Sequence, residues 1–130
     1  MTYREIYENA LRMICEDSSV SDTSDYEERA AYILATLISE CAAVDKQYRL
    51  ANGFKAVTYT PVVCVEMDDK FSLCEALIPI AVYYLSAILV LDENEDMSEK
   101  FFSLYTDALT SFLSGLRHTS EPIIDRYGLM

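Results

Sequence analysis

The chain has 130 residues, 52% of them hydrophobic, with only three Gly, three Pro and no Trp. That composition excludes a disordered polymer and a turn-rich β protein, and it fits one helical domain with a real core. Twenty-two acidic residues against ten basic ones leave a formal net charge of −12, which disfavours gripping a phosphate backbone or docking on an anionic bilayer.

The first segment, "MTYREIYENALRMICEDS", carries Glu5 and Glu8 where a secretion signal would be basic and then apolar, so the protein is expected to be made and kept in the cytoplasm. Thr2 and Glu5 match a capping box, in which a hydroxyl and a carboxylate three residues apart satisfy orphan N–H groups. A first helix is predicted from about Tyr3 to Glu16, with Ile6, Ala10, Met13 and Ile14 on one face. "DSSVSDTSD" breaks it with small polar residues that favour turns.

Ser24 and Glu27 repeat the capping pattern. A second helix is predicted from about Asp25 to Tyr48, striped by Ala30, Ile33, Leu34, Leu37, Ile38, Cys41 and Val44, and Asn52-Gly53 closes the region. "FKAVTYTPVVCVEMDDKF" follows. Its Val, Thr and Tyr favour strands, and Val57, Tyr59, Val63 and Val65 alternate with polar or small residues, but Pro61 rules out a regular central strand. An extended loop or a small β-hairpin is expected in this insertion, 50–71.

"FSLCEALIPIAVYYLSAILVLDENED" holds the longest apolar run. Ser72 and Glu75 match a capping box, and a third helix is predicted from about Leu73 to Leu91. The uncharged stretch from Ala76 to Leu91 would span ~24 Å as a helix, short of a hydrocarbon core of roughly 30 Å, and acids close both ends. A helix apolar on all sides is then the central helix of a bundle, not a membrane span. Pro79 is expected to kink it or open its first turn. Tyr83 and Tyr84 point about 100° apart, so one ring should pack against another segment or subunit.

Asp96 with Glu99, or Ser98 as a competing cap, starts a fourth helix to about Leu116, striped by Phe101, Leu104, Tyr105, Ala108, Leu109, Phe112 and Leu113. After it "RHTSEPIIDRYGLM" loses the periodicity and keeps two apolar spots, Ile123-Ile124 and Tyr127. The predicted fold is all-α: a four-helix bundle over 1–116, with an extended C-terminal tail over 117–130.

The four cysteines, Cys15, Cys41, Cys64 and Cys74, show no paired spacing and lie at or beside apolar positions, so reduced core thiols are expected rather than disulfides or zinc. His118 has no nucleophile patterned with it, and Gly53, Gly115 and Gly128 are isolated, which leaves no phosphate loop. Asp92, Asn94 and Asp96 have calcium-loop spacing, but Met97 stands where such a loop needs Gly and Ser103 where it needs Glu. No cofactor or metal site is identified, and a structural or binding role is favoured over catalysis.

The order of elements carries a resemblance. "DYEERAAYILATLISECAAVDKQYR", an extended insertion, and "DDKFSLCEALIPIAVYYLSAILVLDENEDMSEKFFSLYTDAL" resemble the small helical head–tail adaptor (connector) proteins of tailed phages and prophages. The match covers most of residues 1 to 116 in pattern, and its motif is soft, with no catalytic signature. It implies a homo-oligomeric ring, commonly of twelve subunits, in the virion neck beneath the portal protein, with DNA passing through the lumen unbound. The tail would be an arm docking on the portal through Ile123, Ile124 and Tyr127, by strand addition. Phe54, Tyr59 and Phe71 of the insertion would touch a neighbouring subunit or the next neck or tail protein. The alternatives are another phage morphogenesis factor of the tail-completion type, or a small cytoplasmic helical binding module.

Overall fold

The computed structural model describes residues 1–14, 24–55 and 57–120. Four helices are formed: α1 (Tyr3–Met13), α2 (Ser24–Ala51), α3 (Ile78–Val90) and α4 (Glu95–Ser120), with a short 3-10 turn, Glu75–Leu77, ahead of α3. The fold is mostly helical, as composition and periodicity predict.

α3 is the centre. Nine of its 13 residues are buried, including Ile80, Leu85, Ala87 and Leu89, and it packs against each of the other helices, most extensively α4. This all-round burial is why its sequence is apolar on every face. α4 returns antiparallel to α3. Three contacts then set α2 and α4 side by side in the same direction. The Tyr26 hydroxyl donates to Glu93 just before α4, the Tyr105 hydroxyl donates to Glu40 at 3.4 Å, and the Tyr48 and Phe112 rings stack 5.4 Å apart near the far ends. At 1.5 Å per residue α3 is about 20 Å long and α4 about 39 Å, so α4 outruns α3 and rests on α2.

The ends of the helices show where local pattern and tertiary context agree or differ. The Thr2–Glu5 capping box forms, each side chain bonding the other residue's backbone N–H. α2 ends in a Schellman arrangement: Gly53, at φ 77°, donates its N–H to the Leu50 carbonyl, and Phe54 donates to Arg49. Asn52-Gly53 therefore stops α2 as predicted, about three residues beyond the expected Tyr48. Ser24 opens α2, and the Ser24–Glu27 cap lies outside the described side chains.

The predicted Ser72–Glu75 box does not form. Pro79, in the first turn of α3, has no N–H to give, and its ring crowds the carbonyl four residues back. The preceding turn tightens to 3-10, with Leu77 donating to the Cys74 carbonyl at 3.0 Å. Pro79 thus sets the start of α3 and does not kink it. Ser72 is engaged elsewhere, its hydroxyl accepting from the Tyr3 hydroxyl.

α4 also starts earlier than predicted, capped by Asn94, whose side-chain oxygen accepts from the Met97 N–H at 3.0 Å. Ser98 is buried instead. At the end of α3 the Leu91 N–H bonds Ile88, not Ala87, and the Ser98 hydroxyl supplies the missing partner to the Ala87 carbonyl at 2.7 Å. α4 runs through Ser120, four residues past its expected end.

The insertion is not a β-hairpin. No strand occurs among the described residues, and the one β-bridge, Thr2 with Lys70, is isolated. The bonds that would join two strands go to helices. Tyr3 and Arg4, the first-turn donors of α1, bond the Asp69 and Met67 carbonyls at 3.1 and 2.8 Å, and Val65 donates to Ala31 of α2 at 3.1 Å.

Two buried serines on facing helices behave oppositely. Ser98→Ala should destabilise the fold by about 1–2 kcal/mol, since it strands a buried carbonyl. The Ser86 hydroxyl, also fully buried, has no partner among the described residues, so Ser86→Ala should be neutral or stabilising by up to about 1 kcal/mol. Urea unfolding of both variants measures the contrast.

Candidate functional site

The insertion, pinned at both ends and open between them, is the one stretch of described chain that leaves several large apolar side chains outside. Its start is fixed by the Phe54–Arg49 backbone bond. Its end is fixed more heavily. Asp45, on α2 and only 5% exposed, accepts the Cys74 N–H at 2.7 Å through Oδ1 and Arg49 Nε at 2.9 Å through Oδ2. Arg49 also reaches the Ser72 carbonyl at 3.4 Å. Arg4 joins Glu27 at 2.5 Å and Asp68 at 2.9 Å, and those carboxylates, Asp68 first, hold its guanidinium still more firmly protonated. Those pairs are exposed and add little to stability, but they fix the path of the chain. Phe71 donates its N–H to the Met1 carbonyl, and its ring meets Tyr3 edge-on at 5.9 Å.

Between these anchors, no backbone N–H or carbonyl from Val57 to Cys64 is bonded to the backbone of another described residue. Val57, Val62 and Val63 are exposed, Val63 to 79%, and so are Leu50 and Phe54 ahead of them in the chain.

The predicted contact residues separate. Phe54 faces solvent at the rim of a groove of about 390 Å³ shared with Tyr48, Arg49, Leu73 and Cys74. Tyr59 and Phe71 are half-buried and turn towards the chain's own helices. The Tyr59 hydroxyl is buried without a hydrogen bond among the described residues, while the neighbouring Ser39 donates to Ala35 at 3.3 Å. Ile123, Ile124 and Tyr127 lie outside the described residues. Sequence reasoning missed Val62 and Val63 as exposed groups. The signal was there in the charge-free "VTYTPVVCV", because strand-like residues around a proline cannot all turn inward.

A second, mainly apolar groove, about 430 Å³, lies between α1 and α3 and is lined by Asn9, Arg12, Met13, Ile78, Pro79, Val82 and Tyr83, with Arg12 donating to the Asn9 side-chain oxygen at 3.1 Å. The adjacent tyrosines divide as expected: Tyr83 borders this groove, and Tyr84 is buried against Tyr105, rings 5.1 Å apart.

The thiols are not uniformly core residues. Cys41 is buried, Cys74 half-buried and Cys64 exposed; Cys15 lies outside the described residues. Burial, helped by Glu40, pushes Cys41 up to about 11; burial and then Asp45 do the same for Cys74. Both stay protonated and unreactive near neutrality. Among the described residues no group of three or more His, Cys, Asp or Glu could hold a metal, and no helix is long and apolar enough to cross a membrane. Comparison with family models, curated proteins and solved structures finds no match.

Asp45→Ala should cost about 3 kcal/mol, because it strands a half-buried Arg49 and the Cys74 N–H. Urea unfolding, with proteolysis of the insertion as the local readout, measures it. A thiol whose folded pKa is raised adds stability below its unfolded value and loses it as pH rises towards the folded one. The thermal midpoint should therefore fall between pH 9.0 and about 11, and Cys41→Ala should flatten that fall. In the folded chain near pH 8, Cys64 should react with a thiol reagent well before Cys41 and Cys74.

Proposed function

We propose that this chain is a structural virion protein, a head–tail adaptor that forms a ring beneath the portal and through which DNA passes. The observation that carries the reading is the insertion, pinned at both ends on a helical bundle, whose charge-free stretch from Val57 to Val65 presents Val57, Val62 and Val63 to solvent, with Phe54 exposed just before it. Exposed apolar groups clustered in one short segment mark a contact surface. The net charge of −12 suits a lumen that DNA crosses without sticking. The order of the elements, with a buried third helix and an acidic turn before a long fourth one, matches the pattern behind the resemblance to adaptors.

On this reading the contacts are the function. The partners are copies of the chain, the portal protein and the next neck or tail protein, and the place of work is the virion neck. The arm expected over 117–130, whose first four residues continue α4, supplies the portal-docking contact, anchored by Ile123, Ile124 and Tyr127.

Ile124→Asp should leave the helical circular dichroism signal and unfolding midpoint unchanged while weakening binding to a purified portal ring by about tenfold or more, the order expected when one buried aliphatic contact is lost. Sedimentation of chain and portal together gives the answer. Unchanged portal binding would remove the arm assignment. Binding to a tail-tube protein and not to the portal would make the protein a tail-completion factor.

A further inference from the structure

We propose that copies of this chain join head to tail, the Val62-Val63 prong of one copy seating in the α1–α3 groove of the next. Prong and groove are made of different residues. The prong belongs to the insertion, held on α1's first turn and on α2; the groove lies between Arg12 and Met13 of α1 and Ile78, Pro79, Val82 and Tyr83 of α3. A surface that fits a different surface of the same molecule makes a heterologous contact, which closes into a ring or runs on as a filament.

Charge selects a second copy as the occupant. Two molecules of net charge −12 repel wherever their acids face one another, so they meet best where an uncharged surface of one faces an apolar or basic surface of the other. From Val57 to Val65 there is no charged residue, and Val63 is 79% exposed. The groove is mainly apolar, and the one charged residue in its lining is basic, Arg12, beside the neutral Asn9. Glu66, exposed and three residues beyond Val63, would then pair with that Arg12 of the next copy. An aliphatic prong followed by an acid therefore faces an aliphatic groove rimmed by a base. This contact deepens the adaptor reading and rests on it for its place in a ring, but its evidence is independent of any portal.

The test uses the full chain carrying Cys15→Ser and Cys64→Ser. One preparation adds Val63→Cys and a second, tagged to differ in mass, adds Met13→Cys. Mild oxidation of the mixture should give a cross-linked heterodimer, with neither preparation linking to itself. In the otherwise natural chain, Val63→Asp should weaken self-association by about tenfold or more in sedimentation equilibrium, at unchanged helicity and thermal midpoint. A chain monomeric at every soluble concentration would overturn the proposal. So would Val63→Cys linking to itself, which would mean symmetric pairing of two insertions. Portal binding without the mixed cross-link would leave the adaptor reading standing and remove this contact. The cross-link without portal binding would keep the contact and remove the adaptor.

Discussion

The structure depends on sealing both ends of one buried helix. α3 has almost no polar side chain of its own, so the backbone groups left over at its termini must find partners on other elements. At its start the chain enters through a 3-10 turn forced by Pro79, and Asp45 of α2 reaches in to accept the Cys74 N–H. At its end Ser98 of α4 donates to the Ala87 carbonyl. Two neighbouring helices thus each lend one polar side chain to α3, and those two bonds register the bundle along its axis.

The same economy explains the insertion. Its second half behaves as a cap, offering the Met67 and Asp69 carbonyls to the first turn of α1 and so replacing the hairpin that its strand-like residues suggest. A segment that gives its carbonyls to a helix cannot also give them to a partner strand. The first half, from Val57 to Cys64, has no such obligation to the described chain and is left with apolar side chains outside. An acidic molecule with a neutral, greasy segment exposes apolar surface where its repulsive charge is absent, and the assembly role proposed above rests on this asymmetry.

Buried thiols are held protonated. Several carboxylates are engaged in caps and ion pairs, as Glu5, Asp45 and Glu27 are. Tyr105 and Tyr84, packed together beside Cys41, have their phenols raised mainly by burial.

Much of this was legible in the sequence. The 3.6-residue stripes placed four helices, the Thr2–Glu5 pair marked the start of α1, Asn52-Gly53 marked the end of α2, and the uncharged run from Ala76 to Leu91 identified the central helix, because each depends on residues within one or two turns of one another. What the sequence could not decide is which of several competent polar groups is used. Ser72 and Ser98 both fit a local cap, yet Ser72 pairs with Tyr3 and Ser98 with Ala87, because a partner on another element was closer to hand once the helices packed. The insertion could have paired with itself, and only the neighbouring first turn of α1, with its own unsatisfied N–H groups, determined that it would not. Local spacing determined the helices; the choice among long-range hydrogen-bond partners, and with it the side chains left exposed for other molecules, belonged to the tertiary structure alone.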